Sequence, residues 1–351
     1  MINPVLIFIL ISQLNYSNAS AYEVDNFTNR YDALTDSKNY LNQFMNTKLQ
    51  NVVNKINTQQ TQTCLKKDII KVVKQELASE LKSSNLKGEL ETDADTNLNI
   101  QRHRIDTNKS IYSKRSFSEK MKGFMLTSAG IDPSININGH YVGIDKLGHF
   151  LYEGYWYYDV YKNDPRRSGL KQILKNGLNS EKNIFGLQTT GIKSYADLAA
   201  NYEGFLFWNS IYGSSDPYFS CTNGKWSKIR DFNWSDYVSA SWDEGINCSE
   251  YKSDGLKEAI QNQLDSLTKI NSYRKNKPKF ACPMSVSECS RMKTKYDELK
   301  KSLIGPDCIN ANISSPHNDI HSAQKASETE SIKSNGATKE FLKNKSSKNK
   351  N

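Results

Sequence analysis

Gly139-His140-Tyr141-Val142-Gly143-Ile144-Asp145-Lys146-Leu147-Gly148-His149-Phe150-Leu151-Tyr152-Glu153 runs from a turn signal into a helix and concentrates most of the chemistry-bearing side chains of this chain. An α-helix has 3.6 residues per turn, so Asp145, His149 and Glu153, spaced i, i+4, drift by only about 40° each and share one stripe. A carboxylate, an imidazole and a second carboxylate on one face can hold a metal ion or move protons. Each also has a structural reading. Asp145 can serve as an N-cap or as a first-turn carboxylate favoured by the helix dipole, and His149 can be a buried histidine held by a carboxylate.

The pattern predicts a helix over 145–161 and a second over 194–211, where Leu198, Phe205 and Trp208 are apolar and Asp197 and Asn201 share a face at i, i+4. If the two helices pack antiparallel, Gly148 and Gly204 permit close approach and the polar stripes meet. His149, Glu153 and Asp197 would then form an N/O ligand set suited to zinc or another divalent ion. In that scheme His149 is ligand or general base, Asp145 orients it, Glu153 supplies acid–base capacity and Asn201 is a positioning donor. Asp197 and Asn201 can equally form a buried interhelical hydrogen-bond network. His140 belongs to the first cluster, and Asp243, Glu244 and Asn247 form a third polar cluster that also reads as an ordinary helix start. The chain lacks HExxH, GxSxG, a P-loop and GxGxxG, which disfavours a zinc peptidase, a serine hydrolase and a nucleotide-binding site. Glu153 and Glu203 are a carboxylate pair of the kind glycoside hydrolysis uses.

Around this centre the sequence predicts a mainly α fold. Residues 22–82 read as a helical hairpin, with apolar positions from Tyr40 to Ile56 and from Leu65 to Leu81 at three- and four-residue spacing; an oligomerising coiled coil is the alternative. Residues 83–110, rich in Ser, Asn, Asp and Thr, read as a linker or exposed loop. Residues 111–270 form an aromatic-rich central domain holding all five tryptophans. Within it a helix is expected over 118–129, an extended segment over 134–142 with a tight turn at Asn138-Gly139, and a helix over 254–270. The rings of Tyr152, Tyr155, Trp156, Tyr157, Tyr158 and Tyr161 surround their helix too completely for all to face a core. Residues 271–310 form a cysteine-bearing helical appendage, and 311–351 a disordered basic tail.

The first residues point to export. An apolar run from Val5 to Leu14 precedes Ala19-Ser20-Ala21, a small-x-small cleavage site, so residues 1–21 read as a signal peptide. An uncleaved anchor is the alternative, although the run is shorter than the roughly 20 residues a span requires. Six cysteines, an even number, all follow that point, as expected of disulfides in an exported periplasmic or secreted protein. Cys282 with Cys289, closing a local short loop, and Cys221 with Cys248, clipping the aromatic region, are the expected pairings among the 15 that six cysteines allow. The formal charge of +9 is concentrated in part in the tail, where residues 322–351 hold seven Lys and three Glu. That is a solvated tail rather than a nucleic-acid surface, and envelope components such as peptidoglycan or lipid are the expected partners.

Asp145-Lys146-x-x-His149-Phe150 followed by Asp197-Leu198-x-Ala200-Asn201-x-x-Gly204 resembles the DKxxHF and DxxxNxxG pattern of VanZ-like proteins and of related small bacterial envelope lipoproteins. The resemblance covers about residues 140–205. It implies a helical envelope domain with Asp145, His149, Asp197 and Asn201 as the matching polar positions, and it carries no assigned reaction. The chain departs from these families in helices too polar to span a membrane and in having no lipoprotein cysteine. Two function classes follow: a metal-dependent hydrolase acting on an envelope component, or a non-catalytic periplasmic binding or scaffold protein whose polar cluster is structural.

Overall fold

The computed structural model describes residues 23–58, 64–78, 88–114, 130–164, 169–183, 186–274 and 279–312. The signal peptide, the helix expected over 118–129 and almost all of the tail lie outside the described residues. The described chain is mainly helical with short strands. In order it runs β1 Glu23–Val24, α1 Lys38–Asn57, α2 Lys66–Leu77, α3 Glu89–Thr96, β2 Arg102–His103, β3 Ile131–Asp132, β4 Ser134–Ile137 and β5 His140–Gly143. There follow α4 Asp145–Gly148, a π-helical turn His149–Glu153, α5 Gly154–Asn163, α6 Leu170–Asn183, β6 Ile192–Lys193 and α7 Tyr195–Asn209. The later strands and α-helices are β7 Phe219–Thr222, β8 Lys225–Lys228, β9 Glu250–Tyr251, α8 Asp254–Ile270, α9 Val286–Tyr296, α10 Lys300–Leu303 and α11 Pro306–Asn310.

Local sequence explains several of these elements. In α1, Leu41, Met45, Leu49, Val52, Val53 and Ile56 form the buried stripe that the spacing predicts, and α2 packs on it. The hairpin β4–β5 turns at Asn138 and Gly139, whose φ angles of 56° and 83° suit the Asn-Gly pair of a two-residue turn. Helix α8 spans the predicted 254–270 and is capped by Ser253, whose hydroxyl accepts the Leu256 N–H. Strand β2 adds to β4 to complete a three-stranded antiparallel sheet, order β2-β4-β5.

Residues 88–110 are not simply a linker or loop. They supply α3 and β2, with Leu90, Glu91 and Ala94 buried. Polar composition misleads here because α3 is only eight residues long and buries one narrow face. The buried apolar side chains of α1 and α2 join those of the aromatic region in one contiguous core. At its centre the Phe150 ring lies 5.2 Å from Phe207, 5.0 Å from Trp234, 5.1 Å from Tyr237 and 5.8 Å from Trp242. Tyr152, Tyr157, Tyr158 and Tyr161 are buried, and Tyr155 and Trp156 are partly exposed.

Three disulfides join Cys64 to Cys221, Cys248 to Cys282 and Cys289 to Cys308. Both expected pairings, Cys282–Cys289 and Cys221–Cys248, are therefore corrected. Cys289 sits in α9 and meets Cys308 of α11, whereas Cys282 precedes α9 beside the Glu244 and Gly245 carbonyls. A full set of disulfides fits an oxidising, extracytoplasmic compartment. Among the described residues, no helix is long and apolar enough to cross a membrane.

The helix pairing that frames the site also differs from expectation. Contacts advance in the same direction along both partners, Lys146 with Asp197, His149 with Asn201 and Gly154 with Gly204, so the α4–α5 region and α7 run parallel, not antiparallel. The chain between them, including α6, is long enough to return to the starting end. The close approach is made by Gly154 and Gly204: a Cβ on Gly204 would stand 2.0 Å from the Phe150 carbonyl oxygen, and one on Gly154 would stand 2.6 Å from Gly204 Cα. Gly148 instead makes room for the Glu91 carboxylate, 2.7 Å from where its Cβ would be. The wide π turn changes the phase of the downstream helix, which puts Gly154 rather than Gly148 against Gly204. Since backbone cannot move aside as a side chain can, Gly204→Ala is expected to cost about 3 kcal/mol, at the upper end of overpacking effects. Urea denaturation measures it, and a loss below about 0.5 kcal/mol would contradict this packing.

Candidate functional site

The site grows from three local features. Helix α4 opens with Asp145 and Lys146, the π turn begins at His149, and α7 is capped by Ser194, whose hydroxyl accepts the Asp197 N–H. A π turn inside a helix costs regular hydrogen bonding and occurs mostly where function demands a re-aimed side chain. Trp208 of α7 stabilises this one by donating its indole N–H to the Leu151 carbonyl at 2.9 Å.

Lys146 is the hub. Its ammonium is 1% exposed and lies 2.7 Å from Asp145 Oδ2, 2.7 Å from Asp197 Oδ1 and 2.8 Å from Glu244 Oε1. Three N–H donors meet three carboxylates from three parts of the chain, which satisfies the ammonium completely. The Ser194 hydroxyl stands 2.9 Å from Asp197 Oδ1 and 3.0 Å from Glu244 Oε1. Each carboxylate thus has one oxygen tied down. The other oxygen of Asp145, Oδ1, and that of Glu244, Oε2, are buried without a hydrogen-bond partner.

His149 sits on the far side of Asp197. Its Nε2 is 3.3 Å from Asp197 Oδ2 and its Nδ1 is 2.9 Å from Asn201 Oδ1. Burial works to lower the imidazole pKa, but the Asp197 carboxylate outweighs it and raises His149 to about 10. Burial opposes ionisation of Asp197 as well, yet His149 and Lys146 together hold it well below the usual carboxylate range. Asp145 is raised to about 6 and Glu244 to about 7 because burial outweighs the attraction of Lys146. Glu23 of β1 is buried in the same electrostatic field, and burial, Glu244 and Asp197 raise it strongly.

A carboxylate oxygen from each of Asp145 and Asp197 and a ring nitrogen of His149 lie within 4.8 Å of one another, a grouping able to hold a metal ion. Asp145, His149, Asp197 and Asn201 are therefore brought together. Glu153 is buried on the same helical stretch but is not in that grouping; its charge, with that of Asp197, acts on Glu181 of α6, whose carboxyl is raised to about 8 mainly by burial. His140 is half-buried at the turn end of β5, opposite Ile137. Of the third cluster, only Glu244 reaches the site. Asp243 pairs with Arg30, and Asn247 donates to the Ser241 and Leu303 carbonyls. Glu203 lies apart, bound by Tyr296 and Lys295.

Lys146, Ser194 and Glu23 join the site without having been singled out as its members. For Lys146 a signal existed, since a lysine one residue from Asp145 and flanked by Leu147 and Gly148 falls on a stretch otherwise fit for burial. For Glu23 none did. The chain matches no family model, no curated protein and no solved structure.

The acid-raised groups carry a pH consequence. Glu91, next to Gly148, is raised to about 8 mainly by burial, as is Glu181. A carboxyl whose folded pKa exceeds its unfolded value of about 4.3 keeps a proton that the unfolded chain loses, so stability falls as pH climbs from that value through the folded pKa. The raised His149 acts in the same sense, its contribution being lost as pH rises toward its folded pKa. The melting temperature is expected to drop by several degrees between pH 5 and pH 8.5, and Glu91→Gln to flatten the drop. Calorimetry across that range checks it, and a melting temperature that rises with pH would contradict it.

Proposed function

We propose that this chain is an exported protein of the bacterial cell envelope that carries out acid–base hydrolysis of an envelope component such as peptidoglycan or lipid. The observation that carries the reading is His149 held from both nitrogens, by Asp197 and by Asn201, in a π turn beside the uncommitted Oδ1 of Asp145. Holding both nitrogens fixes the ring, and an exchangeable proton at Nε2 faces a carboxylate that stays ionised. Asp197, at 13% exposure, is the member of the cluster most open to solvent and is where a substrate would meet it. Lys146 supplies fixed positive charge, and Asn201 orients the imidazole. The disulfides, the expected signal peptide and the resemblance to VanZ-like envelope proteins support the location.

A second reading rests on the depth of the cluster. Asp145 is fully buried and Lys146 nearly so, which also suits an ion network that fixes packing in a non-catalytic binding or scaffold protein. His149→Ala separates the two. A variant that keeps its melting temperature but loses hydrolysis of purified sacculi or phospholipid vesicles supports the catalytic reading. A wild-type protein inert on both substrates, with a variant that melts far lower, supports the structural one.

A further inference from the structure

The geometry points to a divalent-cation site formed by Asp145, His149 and Asp197, with Asn201, Lys146 and Ser194 as its outer supports. The inference rests on the reading of this cluster as a functional site and adds the chemical nature of what it binds. Three observations converge on it. First, the ligating atoms of the three residues already lie within 4.8 Å of one another, close enough to converge on a single ion. A set of one imidazole and two carboxylates suits zinc and manganese.

Second, the supports are those a metal site needs. A ligating histidine characteristically donates its second ring N–H to an oxygen acceptor, which fixes the tautomer and aims the other nitrogen at the ion. Asn201 Oδ1, 2.9 Å from His149 Nδ1, is such an acceptor and leaves Nε2 facing Asp197. Lys146 and Ser194 hold Asp197 by Oδ1, and Lys146 holds Asp145 by Oδ2, so each carboxylate is oriented through one oxygen. Third, Asp145 Oδ1 is fully buried and has no hydrogen-bond partner, which is costly for a carboxylate oxygen and calls for a ligand.

The charge balance agrees. Three buried carboxyl groups, Glu23, Asp145 and Glu244, and the 13% exposed Asp197 gather around one lysine, Lys146. A dication in place of the His149 proton adds one net positive charge to this carboxylate-rich cluster. On binding, the ion replaces the proton at His149 Nε2, which leaves to solvent.

The test uses the full disulfide-bonded protein exported by an expression host, stripped with a chelator and titrated with Zn²⁺ and then Mn²⁺ by calorimetry, with melting followed in parallel. One ion per chain and a higher melting temperature are expected. Asp145→Asn and His149→Ala should each weaken binding by tenfold or more, and Asn201→Ala by about 10- to 100-fold, the usual effect of losing an outer support. Melting of each metal-free variant is recorded first. Should His149→Ala fail to fold, the isosteric Asp145→Asn decides, with Asn201→Ala read against its own metal-free melting. Absence of binding by the wild type overturns the site, and so does binding that Asp145→Asn and Asn201→Ala leave unchanged. Hydrolysis by the chelator-stripped protein would overturn a working role for the ion while leaving the acid–base reading intact.

Discussion

Replacing Lys146 with Met is expected to destabilise the protein by about 3–5 kcal/mol, the cost of breaking a buried ion cluster from one side. The ammonium is the common partner of Asp145, Asp197 and Glu244, all within 2.8 Å. Methionine fills the volume but leaves the three carboxylates facing one another in a water-poor interior, where like charges repel strongly. They then ionise less readily than before, so the variant recovers part of the loss as pH falls from 8 to 5. Lys146→Arg gives no such relief, because a planar guanidinium cannot reproduce a compact ammonium set among three carboxylates. Urea denaturation at pH 8 and pH 5 measures both effects. A loss below about 1 kcal/mol at pH 8 would mean that the carboxylates are already protonated and that Lys146 is not the hub of the site.

Arg30→Ala is the second large effect. Arg30 Nη1 and Nη2 each lie 2.9 Å from Asp243, one on each carboxylate oxygen, and Nη1 also donates to the Asn26 carbonyl at 3.1 Å. Both partners are almost fully buried. Loss of the guanidinium strands the Asp243 charge, an expected cost of about 3–5 kcal/mol. The effect extends beyond stability, since the segment that Arg30 anchors begins with Glu23, which sits in the field of the site. Asp25 pins the same segment through the Phe27, Thr28 and Ile111 N–H groups. In the double variant Arg30→Met, Asp243→Leu, much of the loss should return, because removing both charges removes the stranded one. A double variant as unstable as Arg30→Ala alone would show that packing, not charge, is what Arg30 provides.

The elements legible in the sequence are those whose cause is local. The stripe of α1, the Asn138-Gly139 turn, the Ser253 cap of α8 and the helix from Tyr195 follow from periodicity, backbone preference and capping within a few residues. The site was legible to the same extent. Asp145 with His149 and Asp197 with Asn201 are i, i+4 pairs, and each pair does share a face. Elements whose cause lies far along the chain were not legible. Helix α3 hides in a polar stretch because its stability comes from the face it buries, including Glu91 against Gly148. The π turn is held at Leu151 by Trp208, 57 residues further along the chain. The disulfide partners Cys64 and Cys221 are 157 residues apart.

The sequence by itself determined that this is a mainly helical, disulfide-bearing chain with two polar helix faces, because helix stripes, turns and caps are set by neighbours within one or two turns. Tertiary structure alone decided that the two helices run parallel, that Gly154 meets Gly204, that Lys146 binds three carboxylates and that Glu23 and Glu244 join them. A buried ammonium or carboxylate is tolerated only where opposite charge is brought to it, and which distant residue arrives is settled by how the whole core closes.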